Sequence, residues 1–425
     1  MTTPHSTDNA RQDGAALRVL VSGGSIAGPA AAFTLWRAGF APTLLESAPE
    51  PREAGQNVDV RGPGREVLRV LGLYERIAAA GTGETGTQFL RSDGSVYATT
   101  PVEQGGADGP TAELEILRGR LSKLLLDATE GQVEHRYGDR ITRVDQDERG
   151  VGVTTAAGRR ERYDLLVVAE GKRSTTRDCV FPGEVVYRDR GEYVAYGTID
   201  RAETDENCWQ WMTSTGSRIA SLRPDDVGTT RAALGFLTPP MGVERLDVGA
   251  QVAVLRARFD DAGWQVPRIL DGFAARPRDF YVERAEQVSV PRWTAGRVAL
   301  LGDSAWAVPT GMGTTLALLG AYVLAGELAN ERTRTSEGRS SFDPSRALQA
   351  YETRLRPYVT RTQRLAPGVP AIALPRTRAG LAALHGAHRL ATSRVLKTLT
   401  RRVLLPSTST SFVLPTYANP GDPAG

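Results

Sequence analysis

Leu17-Arg18-Val19-Leu20-Val21-Ser22-Gly23-Gly24-Ser25-Ile26-Ala27-Gly28 is the stretch whose reading decides the fold. Leu17 to Ser22 is short, mainly apolar, rich in Val and Leu, and stops at glycines, the pattern of a strand buried on both faces. Pro29 to Ala38 reads as a helix of small residues that ends at Gly39, a suitable C-terminal stop. Thr43 to Glu46 is a second apolar run, and it finishes on an acid. Strand, turn, helix and strand together make one crossover unit of about 30 residues. The turn is Gly23-x-Ser25-x-x-Gly28, the GxGxxG dinucleotide pattern with serine at its middle glycine. The first glycine makes the tight turn, the middle residue must let a pyrophosphate approach the backbone, and the last permits close helix packing. The helix N-terminus adds free N–H donors and partial positive charge, so the backbone from Gly23 through Ser25, Ile26 and Ala27 to Gly28 is a candidate phosphate cradle. Glu46 stands close to the roughly 20-residue spacing expected of an acid that accepts from ribose hydroxyls. An acid there favours an unphosphorylated ribose, hence FAD or NAD.

Outward from this unit, helical spacing returns over Gly62–Ala80 (Val67, Leu68, Leu71, Ile77) and over Glu115–Ala128 (Leu117, Leu121, Leu124, Leu125). Short strands follow from Val133 to Thr155, and Asp164–Ala169 is another buried strand. From about Phe181 to Trp293 the composition shifts to alternating segments, Tyr193–Ile199, Trp209–Thr213 and Arg231–Leu237, with one helix near Val248–Asp260. This predicts an antiparallel sheet domain inserted between pieces of the nucleotide domain. Val298–Leu301 returns to the buried-strand pattern, and Thr335–Asp343 is polar and predicted to be a loop. The fold class is therefore α/β: a Rossmann-like nucleotide domain (residues 17–180 plus 294–375), an inserted substrate-binding sheet domain (181–293), a disordered lead (1–16), and a C-terminal helix and tail (376–425). The basic helix Arg376–Leu405 is expected to dock between the two domains, with Phe412–Tyr417 approaching the substrate cavity.

Composition excludes several classes. Of 425 residues, 52 are Lys or Arg and 49 Asp or Glu, with the signs mixed along most of the chain, so no basic face for nucleic acid emerges. Cys179 and Cys208 lack CxxC spacing and suit a reducing, cytoplasmic setting. The apolar stretch Val298–Leu328 carries Asp303, Glu327, Pro309 and glycines, which argues against a membrane span of about 20 uncharged residues. Four histidines (His5, His135, His385, His388) are too few and too scattered for a metal site, and His385 and His388 read as part of a solvated helix face. Oligomeric state is not legible.

Gly302-Asp303 follows Val298–Leu301 and precedes Pro309-Thr310-Gly311-Met312-Gly313-Thr314-Thr315, which opens the helix Leu316–Leu328. An acid there can accept from a sugar hydroxyl, and a glycine-rich helix start can present N–H groups to an electron-rich ring edge. With the N-terminal turn, this arrangement resembles the aromatic-hydroxylase family of FAD monooxygenases (the p-hydroxybenzoate hydroxylase-like fold), and within it the tetracycline-inactivating and antibiotic-biosynthesis branch. The resembling pieces are Val19–Glu46, Gly55–Gly62, Ile116–Leu126, Asp164–Arg177 and Gly296–Leu328.

The resemblance implies that Gly23, Ser25 and Gly28 line the pyrophosphate and Glu46 holds the adenosine ribose. It further implies that Arg118 contacts the flavin nucleotide, Asp303 binds the ribityl chain, and the Gly311, Met312, Gly313 and Thr314 backbone faces the isoalloxazine. The loop Gln56–Arg61 would lie beside flavin and substrate. The implied chemistry is reduction by NADPH, then oxygen transfer from a flavin hydroperoxide to a hydrophobic, polycyclic or polyketide-like molecule, the cofactor supplying the chemistry and the protein a dry, oriented pocket. Tyr193, Tyr196, Trp209, Trp211, Met212 and Phe236 would form an apolar substrate wall or a plain core; Trp306 and Pro309 are further pocket candidates. Two departures stand out. Glu170-Gly171 replaces the family's Asp-Gly, and Trp306 stands at the end of Gly302-Asp303-Ser304-Ala305-Trp306, where the family usually has histidine. Both raise an alternative, a flavoprotein of the same fold that uses FAD structurally and catalyses an intramolecular cycloaddition of a polyene, as dialkyldecalin synthases do, by shape and pre-organisation alone.

Overall fold

Four of the five side chains of β1 (Arg18–Ser22) are buried, and the strand lies inside a six-stranded sheet. Helix α1 (Ala27–Arg37) covers it and leads to β2 (Ala41–Leu45), which pairs with β1 in parallel, Arg18 opposite Ala41. In this computed structural model residues 16–51, 55–102, 112, 114–308, 311–336, 342–364, 368–392 and 412–417 are described. The lead 1–15, Pro309, and the parts of the C-terminal helix and tail at 393–411 and 418–425 lie outside them.

Next come β3 (Asn57–Val60), α2 (Pro63–Val70), α3 (Tyr74–Ala78), β4 (Gly86–Leu90), β5 (Val96–Pro101), β6 (Leu114–Leu117) and α4 (Arg118–Asp127). Two sequence expectations change here. The helical run Gly62–Ala80 breaks at Gly72, whose φ of +71° is left-handed, giving α2 and α3. Glu115–Leu117 belongs not to a helix but to β6, which pairs antiparallel with β3; all four β6 side chains are buried, so no alternation betrays the strand.

The chain continues through β7 (Glu134–Arg136), β8 (Ile141–Asp147), β9 (Gly150–Thr155), β10 (Arg160–Tyr163), β11 (Leu165–Val168) and α5 (Thr175–Val180). The second layer contains β12 (Val186–Asp200), β13 (Trp209–Ser214), β14 (Arg218–Pro224), β15 (Thr229–Leu237), α6 (Val248–Phe259), α7 (Val266–Ala275) and β16 (Tyr281–Ser289). The sequence then returns to the first sheet with β17 (Thr294–Ala295) and β18 (Val298–Leu300), and ends its described part with α8 (Gly313–Ser336), α9 (Pro344–Thr362), α10 (Val369–Ala373) and α11 (Arg378–Thr392). The nucleotide sheet has the order β17-β18-β11-β1-β2-β7, and α8, apolar on nearly every side, is buried between α1 and α9.

The second sheet has seven strands, β16-β12-β15-β14-β13-β4-β5. It is not confined to 181–293: β4 and β5 come from residues 86–101, and β4 joins β13 in parallel with Phe89 opposite Trp211. Its two faces differ. Tyr193, Ala195, Met212, Ala220, Leu222, Leu234 and Phe236 are buried with Leu255, Phe259, Ile269 and Phe273 of α6 and α7. The alternate residues point the other way by the period of a strand, and Val194, Tyr196, Trp209, Trp211, Ile219, Ser221 and Leu237 are only half-buried. From that second face Tyr281 donates to Gln56, Glu283 pairs with Lys172 at 2.6 Å, and Arg223 pairs with Glu115, so it looks toward the loops of the nucleotide domain.

The described parts of the expected C-terminal segment, 376–392 and 412–417, pack at two separate places, and α11 lies against the second sheet rather than between the two domains. α11 lies on β5, where His388 accepts from or donates to Tyr97 at 2.9 Å and rests 4.2 Å from the Phe89 ring, so these histidines do not form a solvated face. Phe412–Tyr417 does not approach the sheet's half-buried face: Phe412 packs on Tyr358 of α9, and the Tyr417 ring lies on Gly326 of α8 with its hydroxyl on Glu327 at 2.8 Å. Among the described residues no helix is long and apolar enough to cross a membrane.

Where the second sheet meets the β3–β6 pair, Arg223 is enclosed by Asp59, Glu84 and Glu115 and lies over the Trp209 ring at 4.1 Å. Arg61 also pairs with Asp59 at 2.6 Å, so three carboxylates share two guanidiniums, one acid too many for a buried site. Burial, with Glu84 and Asp59 beside it, pushes Glu115 up to about 10 against the pull of Arg223. Because the folded state holds this proton more tightly than the unfolded chain, its contribution is full below the ordinary carboxylate range and is lost as pH rises toward that value. The wild-type protein is therefore expected to lose stability between neutral pH and about pH 9, on the order of 1 kcal/mol per pH unit, and Glu115→Gln to flatten that loss in urea-unfolding midpoints.

Candidate active site

β1, β2, β11 and β18 run parallel, so they end at one edge of the sheet. The loops leaving that edge carry Gly23–Gly28, Glu46, Glu170-Gly171 and Gly302-Asp303. In an open α/β sheet this is the edge at which ligands sit, beside the strand where the winding reverses.

Gly23 has φ +116°, and a Cβ there would stand 2.3 Å from the Ala169 carbonyl oxygen; a Cβ at Gly28 would stand 1.7 Å from the Gly23 carbonyl oxygen. Both positions admit only glycine, and the approach sets the first turn of α1 directly against the end of β1. The Ile26 side chain is buried in the core, so Ile26 and Ala27 offer the site backbone rather than side chains. Ser122 Oγ donates to the carbonyls of Gly24 (3.1 Å) and Ser25 (2.9 Å), fixing the turn from α4. Arg118, one helical turn earlier, donates to Ser25 Oγ at 3.1 and 3.3 Å, so two residues far apart in sequence meet. Ser122 was not anticipated, although its position four residues after Arg118 puts both on one helix face. Glu46 accepts from the N–H groups of Gly24 and Ala48, bracing the turn from the end of β2.

Asp303 sits in the tight turn Gly302–Ser304. Gly302, at φ +63°, would place a Cβ 2.9 Å from that of Ala27, so the acid stands beside the start of α1. Burial raises the Asp303 pKa, and the positive charges of Arg118 and Lys172 oppose it. A side chain at Gly313 would begin 3.8 Å from the Asp303 carboxylate, and the missing one leaves the N-terminal turn of α8 open there. Met312 is buried, so it too offers only backbone, while Gly311 is exposed at φ +70°; Thr314 is buried, and Thr315 Oγ1 accepts from Arg61 N–H at 2.8 Å, tying the helix start to the strand end before α2.

Both sequence departures are structural. The Glu170 carboxylate accepts from Ser22 Oγ (2.5 Å), Ser174 Oγ (2.7 Å), Thr176 N–H (3.2 Å) and Thr176 Oγ1 (2.6 Å), and so joins the end of β1 to α5; the added methylene reaches those donors. Trp306 is buried between Trp293, 4.3 Å away, and Tyr351, with Gly320 of α8 leaving room for the indole. It is therefore a core residue, not a pocket wall. Met212 and Phe236 are likewise corrected: strand alternation puts both on the helix-covered face. Trp211 remains on the half-buried face, stacked with Phe89. Arg177, the last residue of the resembling piece Asp164–Arg177, is fully buried; it donates to the carbonyls of Lys172 (3.0 Å) and Ser304 (3.3 Å), locking the loops after β11 and β18 together.

These residues suit a flavin nucleotide: a glycine-rich cradle at a helix N-terminus for its phosphates, and half-buried acids for its hydroxyls. Residues 16–364 match the FAD binding domain family. The chain belongs to the aromatic-hydroxylase-like FAD monooxygenases. It is similar to the flavin-dependent monooxygenase eupH of Phoma sp, 33% identical across 86% of this chain and 89% of that one. The FAD-dependent monooxygenase asL4 of Sarocladium schorii is 32% identical, covering 82% and 85%. Among solved structures, the tetracycline destructase Tet(55) superposes with a TM-score of 0.77 at 26% identity, covering 95% of this chain and 99% of that one. This monooxygenase takes FAD as its cofactor.

Two variants probe the cradle. Gly28→Ala forces α1 away from β1 and is expected to yield protein with less than about a tenth of the wild-type flavin content, read from visible absorbance. Arg118→Ala, which removes a charged donor beside Ser25, is expected to weaken FAD binding about tenfold in a fluorescence titration.

Proposed function

We propose that this FAD monooxygenase inserts one oxygen atom into a hydrophobic, multi-ring molecule of the polyketide type, with NADPH as the reductant. The backbone of Gly23–Gly28 and the N-terminus of α1 hold the pyrophosphate, Glu46 the adenosine ribose, Arg118 the nucleotide, Asp303 the ribityl hydroxyls, and the Gly311–Thr314 backbone the edge of the ring system. Bound FAD supplies the redox and oxygen-transfer chemistry; the protein binds, orients and keeps the site dry.

One observation carries the substrate assignment. The half-buried face of the second sheet, with Trp209, Trp211, Tyr196, Ile219 and Leu237, looks across at the nucleotide loops, and contacts at Gln56, Lys172 and Glu115 hold the two layers face to face. A broad, largely apolar wall of this kind suits a flat, fused-ring substrate. The resemblance to a tetracycline destructase supports the same class. The alternative of a non-redox cyclase rested on Glu170 and Trp306, and hydrogen bonding and core packing account for both.

Anaerobic mixing of the yellow holoenzyme with NADPH and a fused-ring polyketide is expected to bleach the flavin faster than NADPH alone. Readmitted isotopically labelled O2 is then expected to appear as a single added oxygen atom in the product. Persistent yellow colour with a product of unchanged mass overturns the oxygenation reading.

A further inference from the structure

β12 carries a bulge that the chemistry above does not use. Asp189 faces Glu286 and Tyr193 faces Arg284 on β16, so residues 190–192 occupy the space of a single partner residue. The bulge is tightly held: Gly191, at φ +76°, donates to Asp189 and accepts from Thr238 N–H at 2.9 Å, while Arg284 pairs with Asp189 at 2.6 Å and donates to the Thr238 carbonyl at 2.8 Å. Bulges near active sites re-aim a side chain. Here the residue delivered is Glu192, on the same face as Val194 and Tyr196 and opposite Leu237 of β15.

The Glu192 carboxylate lies over the backbone of Gly235. A Cβ at Gly235 would stand 3.2 Å from Glu192 Oε1 and 2.8 Å from Ile219 Cγ2, so the glycine makes the space the carboxylate occupies. Among the described residues no hydrogen bond or ion pair reaches this carboxylate. The other charged or titratable groups on this face are engaged elsewhere: Glu283 with Lys172, Tyr281 with Gln56, Arg223 with Glu84 and Glu115, and Arg231 with Asp225. Tyr196, on the same strand, packs against the Tyr281 ring at 5.4 Å. Burial among apolar neighbours, with no cation to offset it, raises Glu192 to about 7. A half-buried acceptor without a partner, held rigidly on an apolar wall, is an arrangement that a ligand donor completes.

We infer that Glu192 is a specificity-determining residue that accepts a hydrogen bond from a hydroxyl on the substrate ring, so that the cleft takes a hydroxylated ring in preference to its O-alkylated counterpart. This rests on the proposed reading of the sheet face as the substrate wall. Because the carboxylate is the better acceptor, the preference rises as pH increases through Glu192's ionisation.

The test uses the FAD-loaded enzyme and two probes that stay uncharged from about pH 6 to about pH 8, 2-naphthol and 2-methoxynaphthalene, with binding measured by equilibrium dialysis. Wild type is expected to favour the naphthol by about tenfold at the upper pH, and by less at the lower. Glu192→Gln is expected to lose most of the preference and all of its pH dependence, and Glu192→Ala to lose both, with flavin content and methoxynaphthalene affinity unchanged. Equal preference and equal pH dependence in wild type and both variants overturn the inference alone. Failure of wild type to bind either probe overturns the inference together with the aromatic-wall reading beneath it.

Discussion

The contact on which this protein depends is the approach of α1 to β1, where Gly28 lies so close to the Gly23 carbonyl that a single methyl group would overlap it. Removing both side chains lets the helix start directly behind the strand end. Its unpaired N–H groups and positive dipole end then converge on one point at the sheet edge. The rest of the nucleotide site is arranged around that point: Ser122 and Arg118 hold the turn from α4, Glu46 braces it from β2, and Asp303 stands beside it because Gly302 can pass Ala27 closely.

Around this point the structure spends polar groups on rigidity. Glu170 and Arg177 both carry charge in the segment that follows the buried strand β11. In the fold each is saturated by local partners, and together they clamp the loops after β11 and β18. A buried guanidinium or carboxylate with all its bonds satisfied keeps neighbouring backbone in one arrangement, and a cofactor held at several points requires such a frame. Glu192 differs in having no such partners among the described residues, and the difference lies in its surroundings rather than in its residue type.

Much of the fold was legible. The crossover from Leu17 to Glu46, the buried strands near Asp164 and Val298, and the alternating strands after Phe181 all emerge from local periodicity, which short-range sterics impose on any chain. The misreadings share one cause. β6 is buried on both faces and so shows no alternation; β4 and β5 join a sheet formed more than a hundred residues later; Met212 and Phe236 lie on the helix-covered side of strands whose two faces are similarly apolar in sequence. Trp306 looked like a pocket residue because it follows the Asp303 turn, and only Gly320, on another element, shows where the indole goes.

By itself the sequence determined the nucleotide cradle, since glycines at fixed spacing after a strand act through backbone geometry within a few residues. It also determined the α/β class, by the same local rules. Which of two apolar faces receives helices, which acids are used up by neighbours, and which carboxylate has no partner among the described residues were decided only by the tertiary structure. Those outcomes depend on residues distant in the chain, and burial and hydrogen bonding exist only once the elements have packed.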